Sequence, residues 1–183
     1  MTKLLRRIAF FILVLVHFSF LLAIFFERIN TPLIIGFLLF ISALITHAYF
    51  NAPRDEEAHF IEDLYVILYV VTGALSTYYL SVEFKLGPVI AAGLIGTIAS
   101  FIPEFNKRNE FLRELPASIY CGAFVGMTAP AVAEDFRFII FAAFMTGAFL
   151  ILSKNIFNGF GGKLGTIAFG GVAFTSLLLY LFF

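Results

Sequence analysis

The residues best suited to chemistry lie in one stretch, Asn155 to Gly171, where Lys163 stands among glycines at the join of two apolar segments. Glycine reaches φ > 0 and permits close backbone approach, so amides gathered near Lys163 could meet an anion or a lipid phosphate. The stretch is no nucleotide loop. Gly162-Lys163 is followed by Leu164 rather than Ser or Thr, and no strand precedes it. The competing reading makes Lys163 an anchor whose ammonium snorkels to headgroups. Either way, Gly161 and Gly162 are expected to form a hinge.

His17 is the second candidate, midway along the first apolar segment. Ionisable side chains at that depth are costly to desolvate and are functional candidates for that reason. It reads as a proton relay or, neutral, as a hydrogen-bond partner of a neighbouring helix at Ser42. No Asp or Glu lies deep in any apolar segment, which counts against a carboxylate-driven pump. Hydroxyls remain available: Thr72, Ser76, Thr128, Thr146 and Thr166 are the expected lining of a substrate pathway, since hydroxyls replace part of a solute's hydration.

Asp55, Glu56, Glu57, His59, Glu62 and Asp63 form an acidic cluster. On a helix, Glu56, His59 and Asp63 would share one face and offer a divalent-cation surface. One His among carboxylates is not a tight ligand set, and a solvated acidic face is the commoner outcome. No metal site or cofactor is assigned. Gly-x-Ser-x-Gly, His-Glu-x-x-His and Cys-x-x-Cys are all absent, so no enzymatic activity is expected.

The elements that must position these residues follow from composition. The chain is 61% hydrophobic and 13% charged with mean hydropathy +1.00, against about 25% charged in a soluble domain. Too few polar groups exist to cover the apolar surface, so lipid is the expected solvent and the bilayer the first partner. Formal net charge is zero, which argues against nucleic acid. With 26 Phe, seven Tyr and no Trp, an interfacial aromatic belt must rely on Phe and Tyr. The single cysteine, Cys121, sits in an apolar run and reads as a buried thiol.

Seven apolar runs succeed one another: Ile8–Phe26, Pro32 to about Phe50, Leu64–Ser81, Leu86–Ile102, Pro116–Val132, Phe138–Ser153 and Lys163–Phe183. The first exceeds a signal peptide's usual apolar core and no Ala-x-Ala site follows it, so it is expected to be retained. Pro103–Leu115 is a charged, helical segment with Phe105, Phe111 and Leu112 facing the membrane. With the N-terminus inside, Lys3, Arg6, Arg7, Arg54, Lys107, Arg108, Arg113, Lys154 and Lys163 fall on the cytoplasmic side. Only Arg28, Lys85 and Arg137 fall outside. The positive-inside rule therefore predicts seven transmembrane helices, N-in and C-out, over a single domain spanning residues 1–183.

After the first helix, three helices are followed by three more. Thr72-Gly73-Ala74 and Lys85-Leu86-Gly87 match Thr146-Gly147-Ala148 and Lys163-Leu164-Gly165 in order. The expectation is an inverted repeat of the kind that places transporter sites at the bilayer midplane. Gly93 and Gly96, Gly122 and Gly126, and Gly147 with Gly170 and Gly171 are expected at helix contacts. The expected fold is an all-α polytopic membrane bundle, and the expected function is transport of a small solute or ion, as a homo-oligomer in a bacterial cytoplasmic (inner) membrane. The second class of reading is a non-catalytic membrane-embedded assembly subunit or scaffold. A lipid-modifying enzyme ranks last.

Overall fold

The computed structural model of the chain describes residues 3–51, 64–106, 108–133, 135–154 and 162–182. All regular structure among them is helical. The elements are α1 (Lys3–Glu27), α2 (Pro32–Asn51), α3 (Tyr65–Val82), α4 (Pro88–Phe101), α5 (Glu110–Gly126), the short turn α6 (Pro130–Ala133), α7 (Phe136–Leu152) and α8 (Lys163–Phe182). A 3-10 turn, Ile102–Phe105, links α4 to α5. The acidic cluster 55–63 and Gly161 lie outside the described residues.

Four helical segments are long and apolar enough to cross a membrane: Phe10–Glu27, Tyr65–Val82, Pro88–Phe105 and Lys163–Phe182. Pro32–Ala48 and Phe136–Leu152 are shorter apolar helices. The fifth expected span is displaced. Its helix begins at Glu110 rather than Pro116, capped by Asn109, whose side chain accepts from the Phe111 amide at 3.0 Å. It continues through Pro116, whose missing N–H leaves the Leu112 carbonyl without its usual donor. The first part of α5 therefore carries Arg113 and Glu114, and the segment read as interfacial joins the bundle.

The side-chain pairings fix the helix directions. Tyr65 stacks on Phe111 and Gly126 lies against Ala74, so α3 and α5 run parallel. Tyr78 stacks on Phe136 while Gly147 lies against Ile67, so α7 runs antiparallel to α3. Two glycine seams hold this core. In the first, a Cβ on Gly73 would overlap the Ile119 carbonyl oxygen, one on Gly122 that of Val70, and one on Gly126 that of Ala74. Backbone meets backbone here, a geometry that places glycine Cα–H groups on facing carbonyls. In the second, Gly171 of α8 lies directly against the Thr146 hydroxyl of α7.

Val70, Ala74, Cys121, Val125, Ile139, Ala142 and Ala143 are fully buried between these helices. Tyr78 is buried against Phe136, whereas its neighbour Tyr79 remains exposed. Around this core, α4 packs on α3 and α5, and α1 crosses α8 where Leu13 and Val16 approach Gly170. Helix α2 packs chiefly on α1.

The two expected repeat units differ locally. Lys85 and Gly87 adopt φ of 54° and 80° before α4 begins, whereas Lys163 and Gly165 lie within helix α8. The first helix of one unit, α2, sits at the edge, and its counterpart, α5, sits at the centre.

Candidate functional site

Polar side chains converge where α3, α5 and α8 begin and α7 ends. Glu114 lies one turn into α5 and points toward the end of α7. Its Oε1 pairs with the Lys154 ammonium, and its Oε2 accepts from the Tyr65 hydroxyl at 3.0 Å. The Lys154 and Glu114 side chains are 32% and 29% exposed, so water still reaches the pair. Ser118, one turn further into α5, returns its hydroxyl to the Glu114 carbonyl at 2.9 Å.

Lys163 opens α8 and turns back. Its Nζ donates to the Lys154 backbone carbonyl at 2.9 Å. The Lys154 carbonyl lies two residues past the end of α7, so the cation sits near the negative end of the helix dipole. Gly162, at φ 82°, makes the entry to α8 in a conformation that costs glycine nothing. Beyond Lys163 the glycine-rich stretch is regular helix: Gly170 and Gly171 are packing positions, which confines any hinge to the residues before α8. Cys121 lies seven residues past Glu114 on the same face of α5, fully buried, its Sγ 3.5 Å from the Leu164 carbonyl.

A second polar feature lies deeper. Thr77, Thr146 and Thr175 are fully buried, and their hydroxyls have no hydrogen-bond partner among the described residues. Threonines nearer the surface behave differently. Thr46, Thr72 and Thr97 each donate to the carbonyl four residues earlier in their own helix. Thr146 and Thr175 belong to one seam, because Gly171, against Thr146, is one turn before Thr175 on α8.

The residues expected to line a pathway are thus divided. Thr146 is in the core, whereas Thr72 is exposed on the outside of α3. Ser76 is half-buried on α3. Thr128 is at the far end of α5, its hydroxyl on the Val125 carbonyl at 2.6 Å. Thr166 is half-buried on the first turn of α8, next to Lys163 and Gly162. His17 is half-buried on α1, its ring 6.4 Å from that of Phe18, one residue after the Val16 that meets Gly170.

Sequence reasoning missed Glu114, Lys154 and Tyr65 as one cluster, and it missed Thr77 and Thr175. The helical spacing of Glu114, Ser118 and Cys121 on one face was the available signal, hidden by placing the start of α5 at Pro116. No protein-family model matches the chain, and neither a curated protein nor a solved structure matches it.

Proposed function

We propose that the chain is a multi-pass membrane protein of seven spans, N-terminus inside and C-terminus outside, that passes a small solute or ion through the core of α3, α5, α7 and α8. The observation that carries this reading is the set of buried, unpartnered hydroxyls on Thr77, Thr146 and Thr175. Leaving such a group unsatisfied costs about 1–3 kcal/mol. Each threonine has the option of bonding its own helix, as Thr72 and Thr97 do on the outside. Hydroxyls kept available in the core suit a guest that brings polar atoms or a partly hydrated charge.

No carboxylate belongs to this set, so the guest is neutral or a monovalent ion held by hydroxyls and carbonyls. The dense glycine seams leave no room for a wide permanent pore; passage goes with a change in helix packing. Flux through purified protein in liposomes tests the reading, with monovalent cations, monovalent anions and small neutral polyols as solutes. Protein-dependent flux of one class supports transport, and absence of flux for all three counts against it.

A second reading, a non-catalytic assembly subunit, is favoured by one feature. Helix α2 packs chiefly on α1 and leaves Leu33, Phe37 and Phe40 exposed along its length. A homo-oligomer or a heteromeric complex would cover that face. Co-purification from native membranes separates the readings: a stable complex with no intrinsic flux favours the subunit.

A further inference from the structure

We propose that the Lys154–Glu114 ion pair is a latch that holds the end of α7 and the start of α8 against α5 at one end of the bundle and so seals them over Cys121. As a gate for solute it rests on the transport reading. As a closure it does not.

Some helix contacts in the bundle are rigid. In the α3–α5 seam, Gly73, Gly122 and Gly126 bring backbone against backbone, and no side-chain rotation can loosen it. In the α7–α8 seam, Gly171 rests on Thr146, and Lys163 ties the start of α8 to the Lys154 carbonyl. Each pair of helices is therefore a unit.

Between the units the packing is tight in the shared core and rests on side chains at the end where α8 begins. Gly147 meets Ile67 closely at both its Cα and its side chain, each 3.0 Å from a Cβ placed on the glycine, whereas beside the start of α8 the contact is the Cys121 thiol on the Leu164 carbonyl at 3.5 Å. At this end a charged contact spans them: Glu114 of the first unit with Lys154 of the second, steadied by Tyr65 from α3.

Its exposure decides its role. An ion pair that water still reaches contributes little to stability, and its partners separate without leaving a charge buried. Such a contact is suited to breaking. Below it on α5 come Ser118 and then Cys121, at one-turn spacing on a single face. Separation of Glu114 from Lys154 would let the end of α7 and the start of α8 part from α5 and admit water first to Ser118 and then to the thiol. Cys121 is fully buried in the closed arrangement and is the only cysteine of the chain, so it reports on the latch without any engineered label.

The test is the rate at which N-ethylmaleimide modifies Cys121 in the purified full chain in nanodiscs, followed by mass spectrometry. The unsubstituted chain should react slowly, and 1 M NaCl should accelerate it several-fold by screening the pair. Glu114→Gln and Lys154→Gln should each raise the rate several-fold. The exchange Glu114→Lys with Lys154→Glu should bring it back toward the starting value. Single variants that react at the unsubstituted rate overturn the latch, as does an exchange variant no slower than the singles.

Where a variant fails to assemble, the salt series on the unsubstituted chain decides, and a rate indifferent to salt overturns the proposal. None of these readings needs a transported solute. Salt-sensitive labelling in a protein with no flux would retain the latch and remove the transporter.

Discussion

Lys163 Nζ lies 2.9 Å from the backbone carbonyl of Lys154, so the first side chain of α8 closes the end of α7. The bond places a cation near the negative end of α7 and satisfies a backbone carbonyl just past it. Lys163→Met keeps the aliphatic stem and removes the donor. It should cost about 1–2 kcal/mol, the range for a hydrogen bond to a charged group in a partly exposed site. The measurement is the thermal midpoint in detergent, with Lys163→Arg retaining most of the stability. A Met variant as stable as the parent would show that the contact is incidental.

The glycines divide into two classes that substitution should separate. Gly73 and Gly122 face carbonyl oxygens of the opposite helix with no space for a Cβ, whereas a Cβ on Gly36 or Gly93 would meet nothing within 4 Å. Gly122→Ala and Gly73→Ala should each destabilise the bundle by about 1–3 kcal/mol through overpacking. Gly93→Ala and Gly36→Ala should be neutral or gain up to about 1 kcal/mol from helix propensity. If all four behave alike, the α3–α5 seam is not packed as described.

Helix positions were legible because apolar length and proline mark them: Pro32 and Pro88 both stand at the first position of a helix. Gly122 and Gly126 were legible as contact residues, although the partner helix α3 was not. What escaped was set by tertiary pairing. Glu114 and Lys154 are forty residues apart in the chain, and no local pattern announces that they meet. Pro116 hid the true start of α5, since proline is read as a helix beginning and here lies inside one. Gly87 was read as a small residue within a helix, but its φ of 80° places it before one. Thr72 and Thr146 sit in the same tripeptide, and only packing decides that one bonds its own helix outside and the other is sealed inside.

The proposed topology can be checked at α4. The link between α3 and α4 and the link between α4 and α5 lie at opposite ends of α4, so Glu83 and Arg108 should open to opposite sides of a membrane. In a Cys121→Ala background, Glu83→Cys should react with an impermeant maleimide added outside intact cells. Arg108→Cys should react only after permeabilisation, in keeping with the positive-inside distribution. Labelling of both variants from one side would mean that α4 does not cross.

Thr175 offers the sharpest separation between packing and transport. Its hydroxyl is fully buried on α8 without a partner, and it shares the α7–α8 seam with Thr146. Thr175→Val removes a polar atom that the closed protein does not use, so stability should rise by about 1 kcal/mol. If that hydroxyl is held for a passing solute or ion, liposome flux should fall several-fold in the same variant. Thr97→Val, on the exposed face of α4 where the hydroxyl already bonds Gly93, should leave flux unchanged. The two effects have opposite signs because the hydroxyl costs energy in the closed state and lowers the energy of the occupied one. A Thr175→Val variant that gains stability while its flux is undiminished would make the buried threonines mere packing residues, and the pathway would lose the observation on which it stands.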